Sequence, residues 1–317
     1  MSLIERAAKR LEELRRAGVV LPGEDTFDKD HQTRIANNGQ TERGQSPHST
    51  RGPSSASAGT SLPGKFGSPI GASIEKVRFD IDLSRLDTLG FVTPDMPRSR
   101  IADEFRILKR PVIANASGNR VAPIKHGNLV MVTSAVPGEG KTFTAVNLAM
   151  SIAMELDRRV LLVDADVARP SLPATLGLPQ SRGLLDVLQN SSLDLGHVLI
   201  HTNVERLTLL SSGTQHAQAT ELLASDAMNS LLAEVAERYS DRIVVFDSPP
   251  VLVTTESRVL ANQMGQIVFV VQAESTLQSE VKQALATIES CPIKMLVLNQ
   301  ARTTAQGAYS YGYGYGA

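Results

Sequence analysis

The chain has 317 residues, of which 42% are hydrophobic and 4% aromatic, and a formal net charge of −1. This length and hydrophobic content are enough for one large α/β domain or two smaller ones, and the near-neutral charge argues against nucleic-acid binding through bulk positive charge. A single cysteine, Cys291, excludes an internal disulfide, and without Cys or His neighbours at ligand spacing it does not form a zinc site.

The N-terminal quarter divides into a helical segment and a polar one. Residues 1–18 carry apolar side chains at helical spacing and end at Gly18, which predicts an amphipathic helix. Its charged face suits a docking helix in solvent, or else an acidic partner or a membrane surface, and both interpretations stay open. Residues 19–76 are rich in Pro, Gly, Ser, Thr, Asn and Gln, which predicts a flexible linker.

Residues 77–300 have the pattern of an α/β domain. The stretch RSRIADEFRILKRPVI predicts a helix with Ile101, Phe105 and Leu108 on one face. After Asn128, apolar strand-like runs alternate with helical segments, which indicates a doubly wound, mostly parallel sheet with helices on both faces. The predicted strands are LVMVTS, RVLLVDA, RLTLLSS, RIVVFDS, QIVFVVQ and KMLVLNQ, and helices are expected to begin near Thr142, Ala219 and Thr276.

A phosphate-binding loop is predicted between the first of these strands and the helix after it. The loop reads AVPGEGKT over residues 135–142, with Ala135 where the strict P-loop pattern has Gly and with the tight turns expected at Gly138 and Gly140. Such a loop directs backbone N–H groups at phosphate oxygens. We expect Lys141 to reach the β- and γ-phosphates and the Thr142 hydroxyl to bind Mg²⁺. The expected nucleotide contacts are Pro137, Gly138, Glu139, Gly140, Lys141, Thr142 and Phe143. The fold predicted from this loop is P-loop NTPase-like.

Polar residues follow three other predicted strands. Asp164 and Asp166 end the RVLLVDA strand, where carboxylates two apart on an extended chain share one side and reach one Mg²⁺ or one incoming hydroxyl. Asp247 ends the RIVVFDS strand, a place suited to holding the water shell of the metal ion. Asn299 ends the last strand and is either a hydrogen-bond partner for an adenine edge or a turn residue. The set indicates phosphoryl chemistry.

The motifs resemble those of the bacterial tyrosine kinases, P-loop autokinases tied to capsule and exopolysaccharide export. SAVPGEGKT is similar to their Walker A motif, VLLVDAD to their A-prime motif and VVFDSPP to their Walker B motif, with further similarity in GLLDVL and ATELLASDAM. The resemblance covers roughly residues 77–317, and the whole layout is most similar to the autokinases of exosortase-type loci. The 301–317 tail, read alone as a low-complexity end, resembles the family's tyrosine-rich terminus.

The resemblance implies an ATP- and Mg²⁺-dependent protein-tyrosine kinase. Lys141 and Thr142 serve phosphate and metal, Asp166 and Asp247 serve the metal, and Asp164 orients or deprotonates the attacking tyrosine. The implied phosphoacceptors are the tail tyrosines Tyr309, Tyr311, Tyr313 and Tyr315. Where the family commonly has Arg two places after the second Asp, this chain has Ala168 followed by Arg169, which leaves that charge contact open.

The resemblance also implies partners. The family's intersubunit helix commonly reads E-x-x-R-x-x-R, and DEFRILK offers Asp103, Arg106 and Lys109 for ring-like self-association. A membrane chain-length-determinant protein, the polysaccharide co-polymerase, is the implied activator. Since no apolar run is long enough to cross a bilayer, we expect a cytoplasmic protein that this partner recruits to the inner face of the membrane.

Two other functions share this fold. A septum-placing or DNA-partitioning ATPase switch resembles K-G-G-x-G-K-T, with a second lysine where this chain has Val136, and has no task for a tyrosine cluster. A nucleotide-binding scaffold without kinase activity is less consistent with an intact Lys141, Thr142 and three aspartates. The sequence therefore favours an autokinase that regulates exopolysaccharide polymerisation and export.

Overall fold

The computed structural model of the chain describes residues 77–117 and 123–302. The predicted N-terminal helix, the 19–76 linker and the tail tyrosines lie outside the described residues. No helix in the described ranges is long and apolar enough to span a bilayer.

Strands and helices alternate along the described chain. The strands are β1 Val77–Phe79, β2 Leu129–Ser134, β3 Arg159–Asp164, β4 Ile200–Thr202, β5 Leu207–Leu210, β6 Arg242–Asp247, β7 Gln266–Gln272 and β8 Ile293–Asn299. The α-helices are α1 Leu83–Thr88, α2 Arg100–Ala116, α3 Lys141–Ala153, α4 Leu172–Leu176, α5 Leu184–Gln189, α6 Ala219–Leu223, α7 Asp226–Arg238, α8 Thr255–Ala261 and α9 Gln278–Thr287, and a 3₁₀ turn covers Leu195–His197.

The strands form one sheet in the order β1-β4-β5-β3-β6-β2-β7-β8. Neighbouring strands are parallel except β4 and β5, which are antiparallel, so the predicted mostly parallel sheet is confirmed. All six predicted strands are present. The strands that the sequence did not indicate, β1 and β4, have three residues each, too few to show a periodic pattern.

Each face of the sheet carries its own hydrophobic core, as a doubly wound fold requires. Along β2 the side chains alternate, with Leu129 and Met131 in one core and Val130 and Val132 in the other. Residues of α5, α7 and α9 cover the first core, and residues of α2 and α3 cover the second. Because the central strands are parallel, their carboxyl ends lie at one edge of the sheet, where ligand groups can meet.

The apolar face of helix α2 packs as predicted, but one of its charged residues does not lie on the surface as predicted. Phe105 is buried, and Ile101 and Leu108 pack partly buried against the same core. Lys109, expected beside Asp103 and Arg106 at a subunit interface, is instead 6% exposed. Its Nζ lies 2.7 Å from Glu155 and donates to the Ser151 carbonyl at 2.6 Å. Placing Lys109 in an interface was therefore wrong, because its charge is neutralised at the end of α3.

The other two residues of the proposed interface do lie on the surface. Asp103 and Arg106 form an ion pair within one turn of α2, with side chains 60% and 42% exposed. The Arg106 guanidinium also donates to the Pro97 carbonyl at 2.9 Å. The exposed side of α2 therefore has Asp103 and Arg106 to offer a neighbouring molecule, together with Ile107, which is 73% exposed.

Candidate active site

The 135–142 loop leaves β2 and enters α3 through two left-handed glycines. Gly138 has φ +89° and Gly140 has φ +91°, a region that side-chain-bearing residues rarely occupy, so the predicted tight turns are confirmed. Gly140 is the N-cap of α3, and no side chain caps that helix end. The first N–H groups of α3 are thus left for an anionic ligand, which the helix dipole also favours.

The side chains of two residues in the expected nucleotide-binding segment make contacts within the protein. The Glu139 side chain is 0% exposed, and its carboxylate accepts from the N–H of Val136 at 2.8 Å. Phe143 turns away from the loop, with its ring centroid 5.0 Å from that of Phe91 and 6.4 Å from that of Phe105. Their side chains therefore do not point toward a bound nucleotide, since one faces inward and the other packs in the core. Their backbone N–H groups still belong to the loop and the helix end.

Asn299 has a role that the sequence did not suggest. Its Nδ2 donates to the Glu139 carbonyl at 2.8 Å, so the side-chain amide is held by the phosphate loop. A Cβ on Gly140 would lie 2.1 Å from that Nδ2. Asn299 therefore supports the loop from β8, and its contact with an adenine edge stays a prediction.

Asp164 and Asp247 are buried side by side at the ends of β3 and β6. They are paired in register, and they are 0% and 1% exposed. Burial, and then the charge of Asp247, raise the pKa of Asp164 to about 8, although the N–H of Leu172 donates to it at 3.3 Å. Burial raises the pKa of Asp247 to about 7 against the opposing effect of Thr142 and Lys141.

A hydroxyl pair connects Asp247 to the phosphate loop. Thr142 Oγ1 lies 2.6 Å from Ser171 Oγ, and Ser171 Oγ donates to Asp247 Oδ2 at 3.5 Å. Ser171 precedes α4, and nothing in the motif pattern marks it as a site residue. It reaches the site because the chain after β3 turns back over the end of β6.

These oxygens fit a hard divalent cation. The Oδ1 atoms of Asp164 and Asp247 are buried without a hydrogen-bond partner, and an uncompensated buried carboxylate is costly unless a cation or proton joins it. No group of three or more His, Cys, Asp and Glu side chains within the described ranges is arranged to hold a metal alone. Mg²⁺ typically takes one or two protein carboxylates and completes its shell with phosphate and water.

Asp166 is close enough to Asp164 for its charge to raise the pKa of Asp164, and the Lys141 charge acts in turn on Asp166. Burial raises the pKa of Asp166, and the Lys141 and Arg169 charges and the Arg169 N–H, which donates to Oδ1 at 3.2 Å, partly offset this. Arg169 thus brings a positive charge to Asp166, and both Ala168 and Arg169 are exposed. Glu256 of α8, 5% exposed, also raises the pKa of Asp166, and no motif had indicated it.

The structure thus brings the loop lysine, the hydroxyl of Thr142 and three aspartates to one edge of the sheet. Such a set suits the binding of a nucleoside triphosphate with a divalent cation and the transfer of a phosphoryl group, which asks chiefly for positioning and charge neutralisation.

Known proteins share this arrangement. Residues 128–299, more than half of the chain, match the family model described as an AAA domain. The chain is 32% identical over 217 residues to tyrosine-protein kinase YwqD of Bacillus subtilis, which covers 68% of this chain and 87% of that protein. It is 33% identical over 182 residues to tyrosine-protein kinase ptk of Acinetobacter johnsonii, covering 57% of this chain but only 24% of that longer protein.

A solved structure agrees with these relatives. The kinase domain of Escherichia coli tyrosine kinase ETK superposes with a TM-score of 0.57 at 26% identity, covering 74% of this chain and 98% of that domain. Fold, site geometry and relatives point the same way, and the chain belongs to the bacterial P-loop protein-tyrosine kinases.

Proposed function

We propose that this kinase uses Mg-ATP to phosphorylate its own C-terminal tyrosines, and that the modification regulates exopolysaccharide polymerisation and export. The observation that carries the proposal is the position of the last strand. β8 ends at Asn299, whose amide contacts the phosphate loop, so the chain leaves the sheet beside the site. The acceptors Tyr309, Tyr311, Tyr313 and Tyr315 follow within 16 residues of Asn299, a reach of about 50 Å when extended.

The residues at the sheet edge are assigned roles as follows. Lys141 and the N–H groups of residues 137–143 hold the β- and γ-phosphates. Thr142, Asp166 and Asp247 hold Mg²⁺, which when bound neutralises charge on the phosphates. The tyrosine oxygen forms a bond to the γ-phosphorus while the bond to the leaving oxygen of ADP breaks, and the hydroxyl proton passes to a carboxylate.

Burial separates the two A-prime aspartates as candidates for receiving that proton. Asp164 is fully buried, so a tyrosine hydroxyl reaches it only if residues 165–172 shift. Asp166 is partly exposed and lies beside Lys141, within reach without such a shift. Because Asp166 is assigned to Mg²⁺, Asp164 remains the first base to test, and Asp166 is the second.

The phosphorylated tail is the proposed switch. Each phosphate adds about −1.5 to −2 charge at neutral pH, so four modified tyrosines add roughly −6 to −8. In a ring of subunits such tails repel one another, and phosphorylation loosens the assembly. The proposed activator is the cytoplasmic part of a membrane chain-length-determinant protein, which recruits the kinase to the inner face of the membrane.

The decisive experiment is incubation of the full chain with Mg-ATP and that cytoplasmic part, followed by mass spectrometry of the C-terminal peptide. We expect phosphotyrosine in the wild type and none in Lys141→Met. A chain with all four tail tyrosines changed to Phe is the control for the modified positions. Steady ATP hydrolysis with an unmodified tail would overturn the proposal in favour of an ATPase switch.

A mixing experiment tests whether transfer passes between subunits. Full-length Lys141→Met supplies an intact tail without activity, and an otherwise wild-type chain ending at residue 302 supplies activity without a tail. We expect phosphotyrosine on the inactive chain in the mixture. Failure to label it, with normal labelling of wild type alone, means that each tail enters its own site.

A further inference from the structure

We propose that Glu139 is a positioning residue that latches the phosphate loop to the corner between β7 and α9, and thereby sets nucleotide affinity. The inference rests on the assignment of residues 135–142 as the phosphate site. Glu139 lies within the loop, between the left-handed Gly138 and Gly140, yet its side chain points into the protein and is 0% exposed. A carboxylate buried in this way needs partners, and the partners define its role.

The donors to the carboxylate come from three separate places. Oε2 accepts from the Val136 N–H at 2.8 Å, within the loop itself. Oε1 accepts from the Gln272 N–H at 3.1 Å, at the end of β7, and from the Thr276 hydroxyl at 2.5 Å, just before α9. Both oxygens are engaged, and two of the three partners are backbone N–H groups that can only donate, so the site suits a carboxylate better than an amide.

The Glu139 backbone is tied to a third element. Its carbonyl accepts from Asn299 of β8 at 2.8 Å. β7 and β8 are joined beside it, since the Ala273 N–H donates to the Asn299 carbonyl at 2.9 Å and the Gln272 amide donates to Gln300 at 2.8 Å. One residue of the loop is therefore fixed by its side chain to β7 and the start of α9 and by its carbonyl to β8.

This latch bears on binding through pre-organisation. Glycines on both sides of Glu139 leave the loop backbone many conformations when it is unsupported, and a loop that must be ordered by the ligand binds more weakly. Holding Glu139 at three elements fixes the backbone on which the N–H groups of the loop are arranged. The cost of ordering is met when the protein folds rather than when nucleotide binds.

The test is nucleotide affinity, measured without turnover by titrating a fluorescent ADP analogue. In Glu139→Gln one carboxylate oxygen becomes an NH₂ group that faces N–H donors, and we expect binding at least about tenfold weaker. Glu274→Gln is the matched control, since Glu274 lies at the same corner, is 66% exposed and pairs only loosely with Arg302 at 3.8 Å. Its affinity should stay within about twofold of wild type.

A second variant, Thr276→Val, separates the proposed role of Glu139 from general destabilisation. In Glu139→Gln the Thr276 hydroxyl can rotate and accept a hydrogen bond from the new side-chain amide, which partly compensates for the substitution. Thr276→Val removes this compensation, so Glu139→Gln should weaken nucleotide binding more in that background than in wild type. A structural role alone predicts loss of melting temperature without this coupling. Wild-type affinity in Glu139→Gln, or additive effects in the double variant, would overturn the inference. Lys141→Met tests the site itself: if it also binds normally, the phosphate-site assignment fails first.

Discussion

Asp164 and Asp247 place two carboxyl groups where ionising both is unfavourable. In the unfolded chain Asp164 ionises near its ordinary pKa of 3.8, and in the fold this pKa is about 8. Between these values the unfolded state loses a proton that the folded state keeps, so the contribution of Asp164 to stability falls as pH rises from about 4 to about 8. An Asn side chain has nearly the same shape as protonated Asp and does not ionise, so it makes no pH-dependent contribution of this kind.

We therefore expect Asp164→Asn to raise the melting temperature of the nucleotide-free protein, by little at pH 5 and by about 3 °C or more at pH 8. Thermal unfolding across this pH range measures the difference. Asp87→Asn, on the exposed side of α1, is the control for the substitution itself. A gain for Asp164→Asn that shrinks as pH rises would contradict the burial account.

The positions of these aspartates were predictable, but their surroundings were not. An apolar run that ends in Asp is visible in the sequence, and it indicates that a carboxylate lies at the end of a strand. The burial of Asp164 depends on how β3 pairs with β6, and Ser171 enters the site through its contacts with Thr142 and Asp247. Neither feature is encoded in a local pattern, so neither could be predicted from the sequence.

The phosphate loop offers a matched pair of glycines. Gly138 and Gly140 have nearly the same positive φ, but a Cβ at 138 meets nothing within 4 Å, whereas one at 140 meets the Asn299 amide at 2.1 Å. Ala at either position bears the backbone strain, about 1–2 kcal/mol. Only Gly140→Ala also displaces the support from β8.

We expect Gly140→Ala to weaken nucleotide binding at least about tenfold more than Gly138→Ala does. Titration of the fluorescent ADP analogue with both variants checks this. Asn299→Ala combined with Gly140→Ala removes the clash and should not weaken binding beyond Asn299→Ala by more than the strain term. Equal losses for the two glycine variants would show that strain alone accounts for both.

Helix α2 shows what periodicity can and cannot tell. Its apolar face was predictable from spacing, because Ile101, Phe105 and Leu108 recur at helical intervals. The burial of Lys109 was not, because it depends on Glu155 and Ser151 of a neighbouring segment. A lysine near the apolar stripe has a long stem that can enter the core if its charge finds a partner there.

Substitutions at different positions of this helix should affect self-association and stability separately. We expect Arg106→Glu to weaken the proposed ring assembly, seen as a smaller mass in analytical ultracentrifugation. The melting temperature should fall by only a few degrees, because the lost ion pair with Asp103 and the lost bond to the Pro97 carbonyl are partly exposed. Lys109→Ala should instead cost about 1–3 kcal/mol of folding free energy and leave the assembled mass unchanged. The reverse pattern would return Lys109 to the interface.

The order of strands in the sheet could not be predicted from the sequence, although the mostly parallel arrangement could. β2 pairs on one side with β6, more than a hundred residues later, and on the other with β7. Apolar runs of similar composition do not specify which neighbour each one takes. The site draws on the ends of β2, β3 and β6, so it is assembled entirely from such long-range pairings, which form slowly.

The attachment of Asn299 to the phosphate loop also determines when the site is completed during synthesis of the chain. Asn299 is the last residue of the last described strand, so a growing chain has its lysine, its threonine and all three aspartates long before the loop is supported. We expect a chain ending at residue 302 to bind nucleotide as the full chain does, and one ending at residue 298 to bind at least about tenfold more weakly. A nascent kinase would then bind nucleotide only weakly until its last described strand had been made.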